Sequence, residues 1–208
     1  MDRELTAIDS ILQYGFFQGF LEALGKDSLN DVCGKESFSS ILEKKKGKFL
    51  DPFSPHFFEF FDQRLKQKYS EVSSEGIARC AGRFAFKIYK DELQVFVEGG
   101  LLENRLLPFD EKMDRTLRNF LQELNIAEFG ELNLPAQEKE DCWRIYGKLL
   151  FPKGFVLQVG NQQFLIGVLE SMLDWIDSRF SYHVAQQGTH ADIASGKIDL
   201  LISLKAAA

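Results

Sequence analysis

Apolar residues recur every three or four positions over most of the first two thirds of the chain, a spacing typical of helices. The Ser54-Pro55 pair marks one helix start, since Ser caps a helix and Pro suits its first position. The pattern predicts four helices: 5–24, with Gly25 as its stop, 54–69, from Ser73 or Ser74 to Lys90, and Asp110–Leu124. Residues 92–109 have no clear period and receive no assignment.

The pattern changes in the last third, where aromatic and branched residues favour strands. Residues 141–150 and 155–160 flank a Pro152-Lys153-Gly154 turn and predict a hairpin. A helix over 162–177 and strands over 179–187 and 198–204 follow. We therefore expect an α+β fold, with N-terminal helices packed on a C-terminal antiparallel sheet of β-β-α-β-β order. Residues 1–205 form a single domain, and Ala206–Ala208 are set aside.

Gly82 lies in the middle of a predicted helix, where Gly costs about 1 kcal/mol relative to Ala. The compensation is either close approach of another backbone or room for a ligand. The helix around Phe164 is apolar on more than one side, so part of it must face something beyond a single sheet. We expect an apolar cavity between the Gly82 helix, the 141–150 strand and the Phe164 helix.

Composition adds one unusual feature, because the chain has 20 Phe against 5 Tyr and 2 Trp. Phe has no polar handle and must enter a core, a pocket or an interface. A large aromatic core explains the surplus, and an apolar ligand cavity is the alternative.

Charge and cysteine content restrict the kinds of binding partner and the cellular location that we expect. The net charge of −6 and the short Lys44-Lys45-Lys46 run argue against nucleic acid. No apolar run approaches the roughly 20 residues that cross a bilayer. The three cysteines, Cys33, Cys80 and Cys142, form no disulfide framework, and the acidic start lacks a signal-peptide pattern. We expect a cytoplasmic protein.

The motifs of common enzymes do not occur. The sequence contains no GxGxxG, phosphate-binding loop, HExxH or GxSxG pattern. His56, His183 and His190 are far apart along the chain, and the acidic residues form no defensible acid/base pair. We expect no catalytic activity.

Residues 76–89, Gly-Ile-Ala-Arg-Cys-Ala-Gly-Arg-Phe-Ala-Phe-Lys-Ile-Tyr, resemble the "raGR" helix of the 4-vinyl reductase-type hydrocarbon-binding domains. Further similarities follow in order: the Cys142-Trp143 pair, the Phe164–Glu170 helix ending in Trp175, a strand over 180–186 and a closing hairpin. The Leu24–Val32 phrase also resembles the opening of stand-alone prokaryotic members. The resemblance covers most of 20–204.

The resemblance implies a fold shared with nitric-oxide-sensing and Golgi-transport ligand-binding proteins. It also implies a homodimer that holds an apolar molecule between helices and sheet. The candidate ligand-binding residues are Arg83, Phe84, Ile88, Trp143, Tyr146, Phe164, Val168 and Met172. Core packing explains the apolar members nearly as well. Arg83 either faces a ligand carboxylate or carbonyl, or pairs with an acid such as Glu170.

The family often holds zinc through a glutamate and two cysteines in the closing hairpin. At those positions this chain has Gln187, Asp192 and Leu200, which are poor zinc ligands or none, and His190 nearby does not complete a tetrahedral site. We expect neither zinc nor another cofactor.

Three functions compete on this evidence. The first is a sensor or carrier domain for an apolar ligand of hydrocarbon, aromatic or tetrapyrrole-like type, acting through dimerisation and a partner protein. The second is a ligand-free interaction module of the trafficking-complex type. The third is an accessory role in the 4-vinyl reduction of (bacterio)chlorophyll synthesis.

Overall fold

The computed structural model describes residues 15–34, 55–104, 107–126, 130–133, 136–139, 142–149, 159–176, 181–188 and 197–205. Their helices are α1 (Phe16–Leu24), α2 (Lys26–Cys33), α3 (Pro55–Tyr69), α4 (Glu71–Asn104), α5 (Phe109–Ile126) and α6 (Val159–Ile176). The strands are β1 (Gly130–Leu132), β2 (Ala136–Lys139), β3 (Cys142–Leu149), β4 (Ser181–Gln186) and β5 (Lys197–Lys205). None of these helices is long and apolar enough to cross a membrane.

Helix ends follow local chemistry. Helix α1 stops at Gly25, as predicted, where a φ of 75° suits Gly and its N–H donates to the Leu21 carbonyl. Between α3 and α4 the chain turns at Ser70, the one non-glycine residue with positive φ among those described. Helix α4 therefore begins at Glu71, slightly before the predicted start at Ser73 or Ser74.

Helix α4 is much longer than the sequence pattern indicated. It runs for 34 residues and includes most of the unassigned 92–109 stretch, with Gly99 and Gly100 inside it. Each Gly destabilises a helix by only about 1 kcal/mol, so the helix can continue through both. Pro is the stronger helix breaker, and Pro108 lies beyond the end of α4, just before α5.

The α+β class is confirmed, and the described strands form one antiparallel sheet in the order β1-β3-β5-β4, with β2 also pairing with β3. The predicted β-β-α-β-β order is wrong, because three strands precede α6 and two follow it. β1 and β2 are only 3 and 4 residues long and lie in a polar stretch, so alternation did not reveal them. The proposed strand 155–160 loses residues 159 and 160 to α6, and 151–158 lie outside the described residues.

The helices form a layered arrangement in which α6 lies between α4 and the sheet. Residues 164–173 of α6 are all buried, as the all-round apolar pattern requires. Helix α6 packs on β4 and α5 packs on β1, while α4 packs on α6 and α1 packs on α4. The predicted packing of the N-terminal helices on the sheet is thus corrected. Helix α4 packs on α6, and α6 in turn packs on strand β4, because α6 is apolar on both sides and must be covered on both.

Candidate functional site

Helices α4 and α6 touch backbone to backbone. A Cβ added at Gly82 would overlap the Phe164 carbonyl and come within 2.9 Å of the Val168 nitrogen. A Cβ at Gly167 would overlap the Arg79 carbonyl in the same way. Of the two explanations for Gly82, the close approach of another backbone is the one found. The apolar side of α6 that a single sheet could not cover faces α4 at this point.

A third glycine fixes the other side of α4. A Cβ at Gly19 in α1 would overlap the carbonyl of Ala81, which neighbours Gly82 in α4. The two contacts hold α4 between α1 and α6 within one turn of helix.

Phe side chains fill the region where α1, α3 and α6 meet. The rings of Phe16 and Phe20 lie 4.7 Å apart, and Phe20 and Phe61 lie 4.8 Å apart in an edge-on arrangement. Phe164 joins them from α6, with its ring 5.1 Å from that of Phe16. For these members of the Phe surplus, the aromatic-core interpretation is confirmed.

A buried carboxylate lies at the centre of the α4–α6 contact. Glu170 of α6 is 1% exposed. The Nε of Arg79 donates to its Oε2 at 3.0 Å, and the Nη2 of Arg79 donates to its Oε1. Arg83 donates to Oε2 from Nε at 3.2 Å and from Nη2 at 2.5 Å. Arg83 therefore pairs with Glu170, as one of the two sequence-based interpretations held.

The same cluster reaches the sheet at β4. The backbone N–H of Val184 donates to Oε1 of Glu170 at 3.3 Å, and Nη2 of Arg79 donates to the Val184 carbonyl at 2.8 Å. His183 Nδ1 lies 4.0 Å from the same Oε1. We call Arg79, Arg83, Glu170 and Val184 the ionic cluster; it joins α4, α6 and β4.

The two arginines keep Glu170 charged. Burial alone would raise the pKa of this carboxyl group, but the hydrogen bonds and positive charges of Arg79 and Arg83 outweigh burial and lower the pKa below its usual value. A buried carboxylate with two cationic partners is thus a fixed negative charge at neutral pH.

The eight predicted ligand-binding residues do not line one wall. Trp143, Phe164, Val168 and Met172 are buried in the core, whereas Ile88 is 43% and Tyr146 47% exposed. Tyr146 and Trp143 lie on opposite faces of the sheet, because side chains alternate along a strand. Phe84 is half-buried, with the Lys87 amine 6.0 Å from its ring centre.

Sequence reasoning missed Arg79 and Val184. A signal for Arg79 was available, since Arg79 and Arg83 are spaced i, i+4 and share a helix face. Glu170 within an apolar helix also required a cationic partner. Nothing in the sequence indicated that Val184 would supply backbone groups to the cluster.

The fold matches that of solved H-NOX proteins, one of which is an oxygen-binding H-NOX domain related to soluble guanylate cyclases. The Fe(II) unliganded H-NOX protein from K. algicida superposes with a TM-score of 0.61 at 10% identity, over 98% of each chain. The S. oneidensis H-NOX protein in the Fe(II)NO state gives 0.51 at 12% identity, over 90% of this chain and 99% of that one. A third structure, which concerns the modulation of heme redox potential through protein-induced porphyrin distortion, superposes with a TM-score of 0.53 at 12% identity, over 94% of each chain.

These similarities establish the fold, and the sequence itself matches no protein-family model and no curated protein. The nitric-oxide-sensing fold implied by the resemblance agrees with the fold found, while the 4-vinyl reductase-type family stays a prediction. The expectation of no cofactor is corrected, because the structural neighbours are heme-binding domains.

A heme iron takes an axial His, Cys thiolate, Met or Tyr from the protein. His183 is about half exposed beside Glu170. Burial raises the pKa of Cys33 to about 12, so it is a thiol and not a thiolate. Met113 and Met172 are packed in the hydrophobic core. These four groups therefore do not fit an axial ligand. The side chains of His56 and His190 lie outside the described residues.

No group of three or more His, Cys, Asp or Glu that could hold a metal occurs among the described residues. At the positions where the resembled family carries zinc ligands, Gln187 is exposed and Leu200 is buried in β5, while Asp192 lies outside the described residues.

Proposed function

We propose that this chain is a sensor domain that binds an apolar small molecule of the tetrapyrrole type and acts on a partner protein. One observation carries the proposal: its fold matches heme-based H-NOX structures over 98% of both chains in one case. A match of that extent supports a binding role, because the neighbour's fold aligns with this chain over nearly its whole length. The absence of enzyme motifs from the sequence favours binding over catalysis.

The internal structure supports a role in signalling. Helix α4 contacts α1 on one side and α6 on the other through glycine positions, and the ionic cluster ties α4 to β4. A ligand that moves one of these elements would displace the others, because close-packed interiors do not deform continuously.

The test compares two tetrapyrroles that differ only in iron. Hemin and metal-free protoporphyrin IX are titrated separately into the purified protein, with absorbance and fluorescence as readouts. Native mass spectrometry of protein purified from its own host reports any bound molecule and the expected homodimer. We expect saturable binding of both porphyrins, since the proposal is that the protein binds the apolar ring whether or not it carries iron.

Histidine variants then separate ring binding from iron ligation. His56→Ala and His190→Ala are compared with His183→Ala, the matched control, whose side chain is exposed beside Glu170. Loss of the hemin spectrum in either of the first two variants, with protoporphyrin binding retained, would identify an axial ligand. If neither porphyrin binds and the native spectrum shows the bare polypeptide, the proposal fails and the interaction-module hypothesis replaces it.

A further inference from the structure

The first half of α4 carries a run of positive charge on a chain that is acidic as a whole. The net charge of the chain is −6, yet between the acidic residues at positions 75 and 91 there is no Asp or Glu. The same stretch contains four cations, Arg79, Arg83, Lys87 and Lys90. Arg83 and Lys87 are exposed, so much of this charge faces solvent.

The ionic cluster holds part of this charge in a fixed position. Arg83 bonds to Glu170 through Nε and Nη2, and its side chain is still 47% exposed. Glu170 offsets only one of the two arginines that bond to it, so the surface of α4 keeps an excess of positive charge. Because Glu170 already orients both guanidinium groups, a molecule that contacts them orders fewer side chains on binding.

An apolar row runs beside the cationic row. Phe84 and Ile88 are spaced i, i+4, as are Arg83 and Lys87, so each pair forms one row along the helix. The Lys87 amine lies 6.0 Å from the ring centre of Phe84, which shows that the two rows adjoin. Ile88 is 43% exposed and Phe84 is half-buried. The apolar row is therefore accessible along with the charges.

Gly76 continues the cationic row toward the start of α4, since it precedes Arg83 by seven residues. A Cβ added at Gly76 would meet nothing within 4 Å, whereas one at Gly19, Gly82 or Gly167 would overlap a backbone carbonyl. Gly disfavours a helix relative to Ala, and at those three positions a contact inside the protein explains its use. At Gly76 no such contact exists among the described residues, and the open backbone leaves room for a second chain to approach.

We propose that this side of α4, defined by Gly76, Arg83, Phe84, Lys87 and Ile88 and called the docking face, binds an acidic segment of a partner protein that also carries apolar side chains. The cationic row attracts carboxylates, and the apolar row takes up apolar side chains. A short segment responds to this local charge, because exposed charges more than about 10 Å away are screened. A membrane or a nucleic acid is an extended anionic surface and would also face the acidic remainder of the chain. The inference rests on the proposed action on a partner protein and is independent of the ligand.

The probe is a fluorescein-labelled helical peptide of about 15 residues, which matches residues 76–90 at roughly 1.5 Å per residue. One side of the peptide carries a row of Glu beside a row of Leu. A scrambled peptide of the same composition is its control, and phosphatidylserine vesicles test the membrane alternative. We expect saturable binding of the first peptide that weakens as salt is added, and no binding of the scrambled peptide or the vesicles.

Two variants and a matched control locate the binding. Lys87→Glu reverses one charge of the cationic row, and Lys26→Glu, the control, reverses an exposed charge on α2. We expect Lys87→Glu to weaken peptide binding about tenfold and Lys26→Glu to change it less than about twofold. Gly76→Gln fills the open position with a good helix former. It should weaken peptide binding about fivefold while it raises the urea midpoint of unfolding, which no loss of structure could do.

Any of four results would overturn the docking face. They are no peptide binding, equal binding of the scrambled peptide, equal effects of Lys87→Glu and Lys26→Glu, and unchanged peptide binding by Gly76→Gln. Binding of vesicles in preference to the peptide would replace the partner protein by an anionic membrane surface. Porphyrin titration of the Lys87→Glu protein separates the two proposals. Porphyrin binding without peptide binding to the wild type counts against the docking face alone, and the reverse counts against the ligand alone.

Discussion

At the residue scale, two glycines of α4 have opposite surroundings. A Cβ at Gly76 would meet nothing within 4 Å, whereas one at Gly82 would overlap the backbone of α6. Ala favours a helix by up to about 1 kcal/mol over Gly at both positions. The surroundings of each glycine therefore decide whether Gly→Ala raises or lowers the free energy of unfolding.

We expect Gly82→Ala to lower the free energy of unfolding by about 1–3 kcal/mol, because α4 and α6 must move apart to accept the methyl group. Gly76→Ala, the control, should raise it by up to about 1 kcal/mol. Urea denaturation of the two variants measures both changes. A Gly82→Ala protein as stable as the wild type would mean that the backbones do not touch.

The lowered pKa of Glu170 predicts how the stability of the folded protein changes with pH. Its pKa is lowered in the folded protein, so its contribution to stability is fully present above the unfolded pKa of about 4.3 and is lost as pH falls through the lower folded value. Glu170→Gln should cost about 1.5–3 kcal/mol at neutral pH, since it removes charge-assisted hydrogen bonds from arginines that are partly exposed to solvent. It should also remove part of the acid dependence.

Thermal or urea unfolding between about pH 3 and 7 checks this prediction. Asp114→Asn is the control, because the Arg118–Asp114 pair is well exposed and should contribute only about 0.2–1 kcal/mol. Parallel pH profiles for wild type and Glu170→Gln would contradict the assigned direction of the pKa change.

At the element scale, one bulky substitution tests how tightly α6 packs against α4. Val168 is buried and its nitrogen lies beside Gly82. We expect Val168→Trp to overpack the α4–α6 contact and cost about 1–3 kcal/mol or more. Ile88→Trp, on an exposed part of α4, is the control and should change the melting temperature little. Equal melting temperatures for both variants would indicate space beside Val168.

Elements with strong periodicity were predictable, and those set by tertiary context were not. The predicted helix 54–69 nearly coincides with α3, and the predicted helix 162–177 nearly coincides with α6, because an apolar stripe and clear ends define each. The strands β1 and β2 depend on pairing with β3 and carry little local signal. The C-terminal half of α4 was missed because two glycines obscure its period.

At the scale of the whole molecule, the sequence led to the class of fold but only part of the site. The fold is shared with structural neighbours that are only 10–13% identical to this chain, so a fold can be reached by sequences with few residues in common. The Arg83–Glu170 pair was foreseeable from charge and burial. Its extension to β4 was not, because it depends on which backbone groups of Val184 point away from β5.

The three glycine contacts also have a mechanical consequence. Side chains between two helices act as a compliant layer, since rotamer changes can absorb small displacements. At Gly19, Gly82 and Gly167 that layer is missing, and main chain bears directly on main chain. We therefore expect a displacement of α6 to be transmitted through α4 to α1. The three helices should move together as one rigid unit, because their backbones touch at residues 81 and 82 of α4.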